Sequence, residues 1–177
     1  MRNSRNSSNH TWISMYYSTD YMSPLGKMLI ASDGEAICGA WFYGQKHFSS
    51  TIDDYIVKDD LAIFKKVTRW FDDYFNGLDP EIDFQLKPRG SEFRQKVWKI
   101  LCNIPYGKTL TYGEIASMIS PAMSAQAVGG AVGHNPISVI IPCHRVLGAN
   151  GKLTGYAAGI DKKMELLKLE KIGDYDG

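Results

Sequence analysis

The stretch TYGEIASMISPAMSAQAVGGAVGH, residues 111–134, predicts two short helices joined by a tight turn. Thr111 and Glu114 have the spacing of a capping box, in which each side chain accepts a hydrogen bond from a backbone amide of the first turn. Ser120 and Pro121 end this helix and can start the next one. Two helices joined in this way are typical of a helix-turn-helix.

The second of these helices carries almost no bulky side chains. Residues 125–133 are mostly alanine and glycine, and each interior glycine costs a helix about 1 kcal/mol relative to alanine. Small residues allow a backbone to approach either another helix or a ligand closely. The charge distribution favours DNA as that ligand. Residues 1–85 contain 8 Lys/Arg and 12 Asp/Glu, whereas residues 86–177 contain 12 and 7, and a basic surface suits a polyanion.

A cysteine and a histidine follow the next apolar run. Residues 137–141 predict a strand, Pro142 ends it, and Cys143, His144 and Arg145 come directly afterwards. A thiol becomes a good nucleophile when a base or a positive charge favours the thiolate. The sequence therefore indicates a reactive cysteine, with a buried structural cysteine at a strand end as the alternative.

The last helix places a carboxylate on its apolar face. We expect this helix to begin at Asp161 and to end near Gly173, with Glu170 between Leu166 and Leu167 on the helical wheel. A buried carboxylate needs a partner, and a histidine beside a reactive thiol would be one. The alternative is a frayed last turn that leaves Glu170 in water.

The amino-terminal half predicts a sheet and one helix without clustered catalytic side chains. Strands are expected at 12–17, 27–32, 36–43 and 82–86, and a helix capped by Asp60 at 60–76. Lys87-Pro88-Arg89-Gly90 is the best linker, and the helix after it, capped by Ser91, is expected to pack Cys102 inside. The predicted organisation is a disordered leader at 1–10, a scaffold domain at 11–86, a linker at 87–90 and a mainly helical domain at 91–173.

Composition excludes several classes of protein. The 177 residues are 44% hydrophobic, as in soluble globular proteins. The longest apolar run is too short for a membrane span, and the polar residues 1–10 do not form an export signal. Three widely spaced cysteines predict free thiols, and hence a cytoplasmic protein, and their spacing does not fit a zinc site. We expect no cofactor.

The motifs together resemble one family. Residues 141–146, Ile-Pro-Cys-His-Arg-Val, are similar to the active-site signature of the O6-alkylguanine-DNA alkyltransferases, also called methylated-DNA–protein-cysteine methyltransferases. The resemblance covers roughly residues 88–172 and includes four further blocks in the same order: Thr111-Tyr112-Gly113-Glu114, Ala127–Ala131 followed by Asn135-Pro136, Gly155-Tyr156-Ala157, and Leu166–Glu170. It implies an α+β protein in which a small amino-terminal α/β (RNase H-like) domain precedes a mostly helical domain with a helix-turn-helix.

The resemblance also implies a function. Members of this family bind double-stranded DNA containing O6-alkylguanine through the minor groove, flip the damaged base and transfer its alkyl group once to a cysteine, and we expect this chain to do so as a monomer. The implied catalytic residues are Cys143 as the acceptor, His144 as its base through a water, Glu170 as the partner of His144, Asn135 as the brace of the turn, and Tyr112 as a donor to the base. The implied substrate-binding residues are Val146, Tyr156, Ala157 and Ala158, and the implied DNA-binding residues are Gln126, Ala127, Gly129, Gly130 and Arg145.

Two positions depart from the family pattern. Gln126 stands where the family usually has the arginine that fills the space of the flipped base, and Ala158 stands where many relatives have glycine.

Three other functions fit parts of the pattern: a lesion-binding protein, which would lack the acceptor cysteine; a thiol hydrolase with repeated turnover; and a regulator switched by methylation of Cys143, which would need an additional effector domain.

Overall fold

The amino-terminal half is built on a five-stranded sheet with the order β4-β1-β2-β3-β5. A computed structural model describes residues 15–173, so the predicted leader at 1–10 and the start of the predicted strand at 12–17 lie outside the described residues. Strands β1 to β3 form an antiparallel meander, and the short edge strands β4 and β5 pair in parallel with β1 and β3. The strands are Tyr16–Ser23 (β1), Gly26–Ser32 (β2), Ala36–Phe42 (β3), Tyr55–Val57 (β4) and Gln85–Leu86 (β5).

Helix α1, Ala62–Phe75, packs its apolar side against this sheet, as the helical spacing predicts. Phe64, Val67 and Phe71 are buried in the same cluster as the residues of β2 and β3 that face them. The predicted cap at Asp60 is wrong, because the helix begins after Leu61 and no side chain caps it. Leu61 instead packs against the core, which moves the start of the helix by one residue.

The described part of the carboxyl-terminal half contains four α-helices: Glu92–Cys102 (α2), Tyr112–Ile119 (α3), Ala125–Gly133 (α4) and Ile160–Leu169 (α5). Ser91 caps α2, and Thr111 and Glu114 form the predicted capping box of α3. Two predictions about this half are wrong. Cys102 is exposed at the end of α2, and α5 begins after Gly159 and ends at Leu169, so Asp161 lies in its first turn and does not cap it.

The strand predicted at 137–141 is also wrong. Ile137 forms a single parallel bridge to Ala40 of β3, and the chain then turns, with Val139 at a φ of 73°. The run is fully buried but has no neighbouring strand beyond that bridge. Asn135 takes the place of a partner strand, because its side-chain amide donates to the carbonyl of Ile141 at 2.8 Å and its Oδ1 accepts from the amide of Ile137 at 2.9 Å.

One continuous core joins the two halves. The buried cluster runs from the sheet and α1 through Val97, Trp98 and Leu101 of α2 to the residues around Cys143. Trp98 donates from Nε1 to the carbonyl of Ala131 at 2.9 Å and so fixes α2 to α4. A short parallel pair, Leu110–Thr111 (β6) with Val146–Leu147 (β7), ties the start of α3 to the turn that carries Cys143. The amino-terminal sheet, the helix pair and the cysteine turn therefore form one packed unit.

Candidate active site

Cys143 begins a 3-10 turn that includes His144 and Arg145 and follows the Asn135-braced segment. It is buried, with 5% of its surface exposed. Burial raises the pKa of the Cys143 thiol, while the side chain of Asn135 and the charge of Lys163 oppose that rise. The thiol is therefore protonated in the resting protein and needs a base for reaction.

Behind the cysteine, His144 and Glu170 form a buried pair. His144 Nε2 lies 2.5 Å from Glu170 Oε2, which confirms that Glu170 lies on the buried face and contacts a histidine. Burial lowers the pKa of His144 and outweighs the opposing effect of Glu170. A neutral imidazole that donates from Nε2 to Glu170 leaves Nδ1 as an acceptor, and Nδ1 is buried without a hydrogen bond to any described protein atom.

Glu170 is held by four donors. Besides His144, it accepts from the Tyr74 hydroxyl at 2.6 Å, from Arg145 Nε at 2.7 Å and from the amide of Gly107 at 3.1 Å. Burial alone would raise the pKa of Glu170, but the hydrogen bonds and charges of His144, Arg145 and Tyr74 lower it to about 2. The carboxylate is therefore ionised throughout the physiological pH range, and it can stabilise a positive charge on His144.

Arg145 does not lie where a DNA-binding residue would be expected. Its guanidinium is buried, donates to Glu170 and, from Nη1, to the carbonyl of Ile104 at 2.7 Å, and lies over the ring of Tyr106. We correct the DNA-contact prediction for Arg145, because its donors are used to hold Glu170 inside the protein.

A cavity of about 320 Å³ opens from Cys143 to the surface. Its lining includes Tyr112, Tyr156 and Ala157, which were predicted to contact the flipped base, and Gly129 and Gly130 of α4, which were predicted to bind DNA. Burial raises the pKa of Tyr112, whose hydroxyl accepts from Thr154 Oγ1 at 3.2 Å. The Tyr112 hydroxyl therefore stays protonated and can donate a hydrogen bond to a ligand.

The other two predicted pocket residues are placed differently. The side chain of Val146 is fully buried, and its carbonyl accepts a hydrogen bond from Lys163 Nζ at 2.6 Å. Ala158 packs against the core and does not line the Cys143 cavity.

The predicted DNA-binding residues of α4 lie on its outer side. Gln126, Ala127 and Gly130 are exposed, while Val128 is buried. A methyl group added to Gly130 would meet no atom within 4 Å, and one added to Gly129 would touch only the Tyr112 ring. This side of α4 is therefore a smooth surface next to the cavity.

Sequence reasoning missed two residues of the site. Tyr74 lies on the apolar face of α1, and nothing in the sequence connects it with Glu170. Lys163 is fully buried and donates to the carbonyls of Val146 and, at 3.4 Å, Gly155. Burial lowers the pKa of Lys163 to about 8. Its spacing to Leu166, Leu167 and Glu170 places it on the same helix face, so the argument used for Glu170 also applied to Lys163.

Residues 15–173 contain neither a candidate metal site nor a candidate membrane-spanning helix. No group of three or more His, Cys, Asp and Glu side chains in that range is arranged to hold a metal ion. None of the helices there is long and apolar enough to cross a membrane.

Two family models match the chain over most of its length. The 6-O-methylguanine DNA methyltransferase ribonuclease-like domain matches residues 15–88, and the DNA-binding domain of the same name matches residues 92–172.

Relatives in bacteria and archaea carry the name methylated-DNA–protein-cysteine methyltransferase. The Haemophilus influenzae protein is 45% identical over 159 residues, which are 89% of this chain and 87% of that protein. The Methanosarcina acetivorans protein is 45% identical over 156 residues, 88% of this chain and 98% of that one. The crystal structure of Mycobacterium tuberculosis OGT in complex with DNA superposes with a TM-score of 0.78 at 42% identity, covering 89% of this chain and 92% of that one. The chain belongs to the 6-O-methylguanine DNA methyltransferase family.

Proposed function

We propose that this protein repairs DNA directly, by transferring the alkyl group of O6-alkylguanine in duplex DNA to the sulfur of Cys143. The observation that carries the proposal is the position of Cys143, which is buried, lines a cavity together with Gly129 and Gly130 of α4, and directly precedes His144 of the buried His144–Glu170 pair. The names of the relatives and the DNA complex of the Mycobacterium tuberculosis protein support the same function.

DNA binding begins with α4 in the minor groove. Its exposed glycine and alanine surface allows the helix to approach the groove floor, and Gln126 at its first turn enters the space left by the flipped base. Extrusion costs a few kcal/mol, less where the lesion already weakens pairing. The guanine then occupies the cavity, with its reactive carbon facing Cys143.

The chemical step is an in-line displacement. His144 Nδ1 takes the thiol proton through one water, and Glu170 stabilises the resulting imidazolium. The sulfur forms a bond to the alkyl carbon while the bond from that carbon to O6 breaks, and the electron pair remains on O6. Tyr112 donates a hydrogen bond to the guanine as this charge develops. The immediate products are a thioether and a guanine anion, and the anion becomes unmodified guanine by taking up one proton, which balances the proton that His144 received from the thiol. Nothing in this mechanism reverses the thioether, so each molecule acts once.

We also propose that the protein works as a monomer in the cytoplasm. The cysteine, its base, the carboxylate and the cavity all come from one chain. Cys38, Cys102 and Cys143 are all free thiols, which persist in a reducing compartment.

Intact mass spectrometry tests the transfer. After incubation with a duplex containing O6-methylguanine, we expect one added methyl group per protein, located on the Cys143 peptide, with no further increase at longer times. Cys143→Ser should bind the same duplex without gaining mass. Binding by the wild type without an adduct would indicate a lesion-binding protein, and repeated turnover on esters or amides would indicate a thiol hydrolase.

A further inference from the structure

Three nitrogen-bearing side chains lie at the opening of the Cys143 cavity. Lys46 and His47 come from the loop after β3, and His134 caps the carboxyl end of α4. The rings of His47 and His134 stack with their centroids 4.0 Å apart and their planes 27° apart. The loop of the amino-terminal half, predicted to be only a scaffold, thus forms part of the wall that a ligand must pass.

Backbone contacts and one side-chain contact hold this rim in place. The amide of Lys46 donates to the carbonyl of Ala157 at 3.1 Å, which joins the loop to the wall of the cavity. His134 Nδ1 lies 2.7 Å from the carbonyl of Gly130. Because a carbonyl only accepts, the proton of a neutral His134 resides on Nδ1, and Nε2 is left to accept a second proton.

The rim has positive charge without a countercharge. The cations that face His47 are Lys46 on its own loop and Arg94 on α2, and the ring of His134 stacks on the ring of His47. The pKa of His47 is lowered, mainly by burial and then by the charges of these neighbours. None of these four side chains forms a salt bridge with a carboxylate among residues 15–173. An anion would satisfy them.

Base flipping delivers such an anion. When a guanine enters the cavity, its sugar and the two adjoining phosphates stay at the opening. Resting on the function proposed above, we infer that Lys46, His47 and His134 form a phosphate-binding rim, which receives the backbone phosphate next to the flipped guanine and takes up a proton on binding.

The direction of the pH effect follows from this geometry. A phosphate beside the imidazole of His47 favours its protonated form, so the pKa of His47 in the complex lies above its pKa in the free protein. The additional affinity is fully present below the pKa of the free protein, and it is lost as the pH rises through the pKa of the complex. Glu170, with a pKa of about 2, does not titrate between about pH 5.5 and about pH 7.5. Lys163, with a pKa of about 8, begins to lose its proton only near the upper end of this window, and it is present in every variant that is compared.

Equilibrium binding tests the rim. The dissociation constant for a duplex with O6-methylguanine would be measured by fluorescence anisotropy at constant ionic strength, in a Cys143→Ser background that prevents transfer. We expect affinity to rise on the order of tenfold from about pH 7.5 to about pH 5.5. The double variant His47→Asn, His134→Gln should show a nearly flat profile. Asparagine suits position 47, because His47 has a φ of 59° and asparagine tolerates that backbone.

The salt dependence provides the second readout. Lys46→Gln should make the slope of log affinity against log salt shallower by about 0.9. Lys65→Gln, the same charge change on the exposed side of α1, should leave both slope and pH profile unchanged. The phosphate-binding role of the rim is refuted if the double variant keeps the pH profile, or if Lys46→Gln and Lys65→Gln have equal effects. Methyl transfer to wild-type Cys143 is measured separately. Transfer together with an unaltered pH profile would therefore refute the phosphate-binding role and leave the proposed function standing.

Discussion

Replacing Glu170 by glutamine should destabilise the protein in a pH-dependent way. The substitution keeps the size of the side chain but removes the charge that accepts from His144, Arg145 and Tyr74. The pKa of Glu170 is lowered from its usual 4.5 to about 2. At about 1.4 kcal/mol per unit, this depression corresponds to about 3 kcal/mol of stability at neutral pH. For a domain of this size we expect a melting temperature lower by about 6–12 °C.

The sign of the pH dependence makes this prediction specific. The folded-state pKa of Glu170 is below its unfolded value, so its contribution is present above about pH 4.5 and is lost as the pH falls towards about 2. At about pH 3 roughly 2 of the 3 kcal/mol should be gone. The melting temperatures of wild type and Glu170→Gln should therefore be far apart at neutral pH and should approach each other in acid.

Thermal unfolding followed by circular dichroism at several pH values measures this difference. Glu165→Gln is the matched control, because Glu165 is exposed on the same helix and lies 4.0 Å from Lys168. It should change the melting temperature little at any pH. In parallel, single-turnover methyl transfer by Glu170→Gln should be slower, on the order of 10²-fold. A gap between wild type and Glu170→Gln that is the same at neutral pH and in acid would refute the ionised, four-donor arrangement.

Three further changes test other parts of the site. Tyr74→Phe removes one donor to Glu170 and should cost about 1.5 kcal/mol in urea unfolding, with a smaller loss of transfer rate than Glu170→Gln; an unchanged midpoint would argue against this hydrogen bond. Gln126→Arg should bind duplex DNA more tightly and steepen the slope of log affinity against log salt by about 0.9. Identical slopes and identical affinities would refute a contact with DNA at this position. Lys163→Met removes a buried charge near the Cys143 thiol and the donor to the Val146 carbonyl. The pH profile for alkylation of Cys143 by iodoacetamide should therefore move to higher pH. A superimposable profile would show that Lys163 contributes to packing alone.

Much of the carboxyl-terminal half was predictable because its signals are local. The capping box of Thr111 and Glu114 and the small residues of α4 identify a helix pair within twenty-odd residues of sequence. Glu170 was predictable for a related reason, since helical spacing placed a carboxylate on an apolar face and burial demands a partner. In each case the deciding interaction lies on one helix or at one turn.

The failures have two physical origins, which are a local side-chain brace and contacts between segments far apart in sequence. The apolar run at 137–141 fits a strand, but the side chain of Asn135 bonds to the amide of Ile137 and the carbonyl of Ile141, and turns within the run satisfy other backbone groups. The resemblance to the family assigned Arg145 to DNA binding, whereas its partner is Glu170, 25 residues away. The Tyr74 hydroxyl bonds to that carboxylate across 96 residues, a separation that no local pattern encodes.

These long-range contacts change the interpretation of the amino-terminal half. The linker at 87–90 between two domains remains a prediction, but the segments before and after it share one buried core. The amino-terminal half also supplies the Tyr74 donor to Glu170 and the rim residues Lys46 and His47. A carboxyl-terminal half on its own would expose the core surface that α1 covers, and it would leave Glu170 with one donor fewer. Burial opposes ionisation of Glu170, and its hydrogen-bond donors offset that effect. Because the amino-terminal half supplies one of these donors, Tyr74, it contributes to the electrostatics of the cysteine site as well as supporting it mechanically.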